Sequence, residues 1–192
     1  TNKQLYMRQK LANLVIHCLA TPEGKHFTKD DVIRWHTAPK IQGGKGWKKP
    51  GYGDMIYLDG QLVNLVPFDT DDFIDLWEIS NGVEGMNGNS RHIAYVGGMD
   101  KENKKAKDTR THEQTTSLET YVKYMILRHP DIQIAGHNEV PNAKRKACPS
   151  FSVSDWCRTI GIAEKNIYKK LNVHGQEAGR PGVVEIAATE EP

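Results

Sequence analysis

Two histidines stand apart in this chain because each closes a hydrophobic run, Leu14-Val15-Ile16-His17 and Ile132-Gln133-Ile134-Ala135-Gly136-His137. A ring at the end of a buried strand either bonds to backbone carbonyls or ligates a metal ion. Beyond His137 comes Cys148, inside Lys146-Ala147-Cys148-Pro149-Ser150. Two imidazoles and one thiolate would form a three-donor set that leaves zinc's fourth tetrahedral position open for water, as a hydrolytic centre needs. Spacing alone leaves both readings open, because the chain has neither a helical His-Glu-x-x-His pattern nor paired Cys-x-x-Cys knuckles. Read singly, Cys148 is equally a small buried thiol, Tyr52 a half-buried aromatic and Lys146 part of a solvated basic run. His26, His36, His112, His129 and His174 lie in polar surroundings and read as exposed, while His92 fits neither class. No carboxylate pair stands out as a glycosidase would require.

The elements that must position these residues follow from periodicity. Leu11 to Cys18 has the β-branched apolar centre of a buried strand. Asp54–Leu58 and Gln61–Val66 read as a hairpin turning at Asp59-Gly60, with further strands at 92–96 and 132–135. Leu118, Tyr121, Val122, Met125 and Ile126 recur at helical spacing behind a Thr111…Gln114 capping box, which predicts a helix over 112–128 stopped by Pro130. A shorter helix is expected over 29–37, after Thr28, burying Val32, Ile33 and Trp35; others are expected near 154–160 and 163–171. Strands interleaved with helices predict a single α/β domain, a central mixed β-sheet flanked by helices. The loops 39–51 and 80–90 are long for such a domain, and long loops usually carry function. Within them Trp47 either stacks on a ligand or anchors its loop, and Asn87 and Asn89 either contact a ligand or simply make turns.

Composition sets the bounds. A chain of 192 residues is long enough for one domain with its own core and cleft. Cys18, Cys148 and Cys157 cannot all pair within the chain, which excludes a disulfide framework. Cys18 should face away from His17, and both Cys18 and Cys157 read as core. The net charge of +2 is too balanced to make nucleic acid the main partner, and the basic cluster from Lys101 to Arg110 reads as a solvated loop. No apolar run approaches the ~20 residues of a membrane-spanning helix, so no membrane insertion is expected. The N-terminus shows no apolar signal block. Residues 172–192 hold four Glu and one Arg without an apolar period and read as a flexible tail to a domain spanning 1–171.

Seven short blocks then bring a resemblance. Val15-Ile16-His17-Cys18-Leu19-Ala20-Thr21, Gly51-Tyr52, Asp59-Gly60, Gly85-Met86-Asn87-Gly88-Asn89-Ser90, Val96-Gly97-Gly98, Gly136-His137-Asn138-Glu139-Val140 and Lys146-Ala147-Cys148-Pro149-Ser150-Phe151 occur in order between about residues 13 and 157. In types and order they resemble the zinc N-acetylmuramoyl-L-alanine amidases, the bacteriophage lysozyme branch above all, relatives of the peptidoglycan recognition proteins. The resemblance implies a zinc ion at the floor of a peptidoglycan-binding groove, held by His17, His137 and Cys148, with Tyr52 and Lys146 at positions implicated in catalysis. Lys146 would set an ammonium beside the developing oxyanion, and the Tyr52 hydroxyl would orient water or donate to the intermediate. The implied reaction is hydrolysis of the amide between N-acetylmuramic acid and L-alanine by a monomer, held in the cytoplasm until release if phage-like. The rivals are a recognition module that binds the wall without turnover, against which the retained Cys148 argues, and a zinc amide hydrolase of soluble muropeptides. The chain departs from the pattern in three places. The segment before Cys148 is longer, with Asn142 to Arg145 added. Asn81-Gly82-Val83-Glu84 stands where relatives often carry His, and Arg91-His92 replaces a usual small apolar pair.

Overall fold

The computed structural model describes residues 8–141, 143 and 147–169. From the N-terminal side the chain runs through β1 (Gln9–Lys10), β2 (Asn13–Cys18), β3 (Thr21–Pro22) and α1 (Lys29–Thr37). It continues through β4 (Asp54–Ile56), β5 (Leu62–Asn64), β6 (Phe73–Ile74), β7 (Ser90–Tyr95) and β8 (Gly98–Met99). The last elements are α2 (His112–Arg128), β9 (Gln133–Gly136) and α3 (Val153–Thr159).

The main sheet has the order β5-β4-β7-β2-β9. Strands β4, β7, β2 and β9 run parallel, and only β5 runs antiparallel, paired to β4 across the expected hairpin. All six residues of β2 and of β7 are buried, the mark of central strands covered on both faces. On one face Leu14, Ile16 and Cys18 pack with Leu118, Val122 and Met125 of α2 and Val153 and Cys157 of α3. The opposite face splits in two: Val15 and Ala135 meet Val83 and Val140, while Met55 meets Val32 of α1 and Val96. Alternation along β2 puts His17 on this second face.

Both long helices begin where the sequence predicts. Thr28 caps α1 and forms a capping box with Asp31; Thr111 and Gln114 do the same for α2. The start of α2 is also pinned to the hairpin turn, since Thr111 Oγ1 donates to the Leu58 carbonyl at 2.7 Å and Ser117 Oγ to that of Gly60 at 2.6 Å. The Gln114 amide donates to the Val96 carbonyl at 2.9 Å, satisfying a buried strand end.

The helix expected over 163–171 does not form. Residues Glu164–Asn166 make a single 3-10 turn, and Ile167 then bridges Ile134 in parallel. The Asn166 amide donates to the Pro130 and Ile132 carbonyls at 2.8 Å each, which fixes the turn against the end of α2. Of the tail expected over 172–192, nothing falls within the described residues. No helix of the described residues is long and apolar enough to cross a membrane.

Candidate metal centre

His17 is the next-to-last residue of β2, and His137 follows directly on β9, the strand paired in parallel beside it. Two imidazoles therefore stand at the carboxyl ends of neighbouring strands, on one face, with ring centroids 4.6 Å apart. Cys148 enters from the segment after β9. One donor atom from each of His17, His137 and Cys148 lies within 4.8 Å of the others, an arrangement that could hold a metal ion. The His17 Nδ1 to Cys148 Sγ distance is 3.7 Å, and the Cys18 backbone N–H donates to that same sulfur at 3.3 Å. The same sulfur lies 3.8 Å from the Cys18 carbonyl, so both polar groups of the Cys18 backbone face it.

The outer nitrogen of His17 has its own partner. His17 Nε2 lies 3.1 Å from Nδ1 of His92 on β7, and both rings are buried. Burial, with His137 and Arg91 adding to it, pushes His92 down to about 3, so the ring is neutral at physiological pH. The sequence left His92 unassigned. Its place at the start of the strand expected over 92–96 was the available signal, and in the structure it lies within β7, all of whose residues are buried.

Tyr52 is half-buried, with its ring 5.1 Å from His17 and 5.3 Å from His36. Its hydroxyl makes a long 3.5 Å contact to the Cys18 carbonyl. Desolvation, then the nearby Cys148 and Cys18, raise the phenol well above its ordinary value. The group therefore remains a protonated donor. Lys146 lies outside the described residues, as do Asn142, Lys144 and Arg145.

Several histidines differ from the sequence expectation. His36 is buried on α1, accepting the Gly51 N–H at 3.0 Å through Nδ1. His129 is buried too, its Nδ1 2.8 Å from Asp72. Both sit in polar sequence but find partners supplied by distant loops. His26 and His112 are exposed as expected, and His174 is outside the described residues.

A pocket of about 60 Å³ at His17, His137 and Tyr52 adjoins a cleft of about 500 Å³ walled by Trp47, Asn81, Gly82, Glu84 and Asn87. Trp47, Asn81 and Gly82 line both, so the two long loops form a groove leading to the donor cluster. Trp47 stacks on His36 at 5.1 Å and takes Lys45 Nζ 4.4 Å from its ring, which makes it the anchor of its loop. Asn87 Oδ1 accepts the Val83 N–H at 2.9 Å, and Asn87–Asn89 form a 3-10 turn; both Asn residues do turn work. Cys18 and Cys157 are core, as expected.

A parallel-centred sheet with a His-His-Cys donor cluster at its strand ends, beneath an open groove, defines an α/β protein with a candidate metal site of the kind hydrolases use. The family described as N-acetylmuramoyl-L-alanine amidase matches residues 7–151, and the chain belongs to that family. Its reaction is hydrolysis of the amide bond between N-acetylmuramic acid and L-alanine in peptidoglycan. The endolysin of Enterobacteria phage K11 is 27% identical over 157 residues, covering 81% of this chain and 91% of the relative. Among solved structures, the N-acetylmuramoyl-L-alanine amidase LysC from Clostridium intestinale URNW has a TM-score of 0.56 at 17% identity, over 85% of this chain and 95% of that one. The Drosophila peptidoglycan recognition protein PGRP-SA has a TM-score of 0.58 at 10% identity, over 90% of each chain. At these identities the two structures speak for the fold.

Proposed function

We propose that this amidase works with one zinc ion held by His17, His137 and Cys148, and that Tyr52 and Lys146 act on the reacting amide. The observation that carries the reading is the 3.7 Å separation of His17 Nδ1 and Cys148 Sγ. Tetrahedral zinc with ordinary Zn–N and Zn–S bond lengths holds nitrogen and sulfur donors about 3.6 Å apart. Two neutral nitrogens and a thiolate are also a donor set zinc favours. Zinc bound there would polarise the amide carbonyl and make water acidic enough to attack at neutral pH.

The chain's own groups have distinct tasks. The Cys18 N–H steadies the Cys148 thiolate, and the paired strands β2 and β9 hold the two imidazoles in place before any ligand arrives. Tyr52, protonated and packed against His17, donates a hydrogen bond to the oxygen that gains charge as the carbonyl is attacked, or orients the attacking water. Lys146, two residues before Cys148 in sequence, brings an ammonium to the same developing charge. The groove between the 39–51 and 80–90 loops receives the glycan and stem peptide, and the protein acts as a monomer.

Digestion of purified peptidoglycan tests the reading, with new amino groups and new reducing sugars assayed in parallel. Amino groups should appear without sugar ends, cease with a zinc chelator, and return on adding zinc. Cys148→Ala should abolish release while wall binding persists. Full activity in that variant, or after exhaustive chelation, would refute the centre.

A further inference from the structure

The pairing of His17 with His92 is one the amidase reaction does not itself require, and three observations bear on it. First, the nitrogen of His17 that faces Cys148 is Nδ1, and the one that faces His92 is Nε2. A ligating nitrogen must be bare, so the proton of His17 belongs on Nε2, donated to His92 Nδ1, and the proton of His92 on its own Nε2. Second, that His92 Nε2 is buried without a hydrogen-bond partner. An orphaned buried donor costs stability, and an apolar residue at 92 would remove it. Third, the backbone of the 80–90 loop lies directly on the ring: a Cβ at Gly82 would fall 2.3 Å from His92 Nδ1. Only glycine leaves room there. The two departures noted in the sequence, glycine at 82 and histidine at 92, are thus a single spatial arrangement.

Resting on the zinc reading above, we propose that His92 is a positioning residue for the centre: clamped under Gly82, it fixes the tautomer and ring plane of His17 so that Nδ1 faces the ion. A neighbouring imidazole takes the part that a carboxylate or backbone carbonyl commonly plays behind a metal-bound histidine.

The test uses the purified full chain with His92→Ala, His92→Gln and Gly82→Ala. Zinc affinity is measured by competition with a chromophoric chelator, and the visible spectrum is recorded on the cobalt-substituted protein. His92→Ala should lose roughly 10- to 100-fold in zinc affinity and shift the cobalt bands, as loss of such partners generally does. His92→Gln, whose side-chain oxygen can still accept from His17 Nε2, should recover most of both. Gly82→Ala should resemble His92→Ala. Affinity within twofold of the parent and an unchanged cobalt spectrum in His92→Ala would overturn the proposal. Nitrogen-15 NMR of the unmutated, metal-free protein needs no variant to fold: a His17 proton on Nδ1 would overturn it, one on Nε2 supports it. Failure of the zinc reading is separately visible as undiminished zinc affinity in Cys148→Ala.

Discussion

Asp54 holds Arg91 through one carboxylate oxygen, with Oδ2 3.0 Å from Nε and 2.9 Å from Nη2, on the face of the sheet opposite the donor cluster. The Tyr121 hydroxyl of α2 donates to the same oxygen at 2.6 Å, and the Asn64 amide donates to Oδ1 at 2.9 Å. Both charged residues are buried, and a Cβ at Gly53 would strike the guanidinium 2.3 Å from Cζ. Removing one member strands the other's charge in the core. Asp54→Ala should lower the unfolding free energy by about 3–5 kcal/mol in urea titration. Tyr121→Phe should cost about 1.5–3 kcal/mol, because it removes one hydrogen bond to a charged acceptor. Equal, sub-kcal/mol effects would mean the network is not tightly coupled.

Tyr52→Phe isolates the hydroxyl. Its 3.5 Å contact to the Cys18 carbonyl is too long to contribute much to stability, so the variant should melt like the parent. The rate of amide cleavage should fall by about 10²-fold, the scale for one donor to a developing oxyanion. Zinc affinity should not change. A variant with parental turnover removes Tyr52 from the reaction.

His36 predicts a pH dependence of stability. Burial, then Lys45, lowers it from 6.5 to about 4. Between those values the unfolded chain binds a proton that the folded chain refuses, so stability is complete above pH 6.5 and declines as the pH falls toward 4. The slope contributed by one proton is about 1.4 kcal/mol per pH unit. Protonation would also compete with the Gly51 N–H for Nδ1. His36→Gln should flatten the dependence, measured on metal-free protein at pH 7, 5.5 and 4.5. A parent-minus-variant difference that stays constant across that window contradicts the assignment.

Metal removal should be felt as loss of stability as well as of turnover. An ion that binds only the folded state adds about 4 kcal/mol when free metal is a thousandfold above the dissociation constant. For a chain of this length that is a Tm change of roughly 10 °C. A chelator should lower Tm by that order in the parent and leave Cys148→Ala unmoved, as read by calorimetry. An equal response in both proteins would place the ion elsewhere.

What the sequence made legible was whatever is decided locally. Helices α1 and α2 keep their expected bounds because caps, apolar spacing and a following Pro39 or Pro130 all lie within a few residues of them. The strands carrying His17 and preceding His137 were visible as apolar runs, and the hairpin was visible at Asp59-Gly60. What escaped depends on distant partners. His92 meets a residue 75 positions away, and His129 one 57 positions away. The segment after Ala163 has a helical composition, but bonds from Asn166 to Pro130 and Ile132 stop it after one turn. The two-residue ladders β1–β6 and β3–β8 are too short to leave any periodic trace.

His17 and Cys148 meet across 131 positions of chain. On the proposed donor set, a polypeptide whose synthesis stops anywhere before residue 148 owns both imidazoles at best and never the sulfur. A fragment that ends after β9 and before residue 148 would therefore own all five strands of the main sheet and still lack one of the three donors.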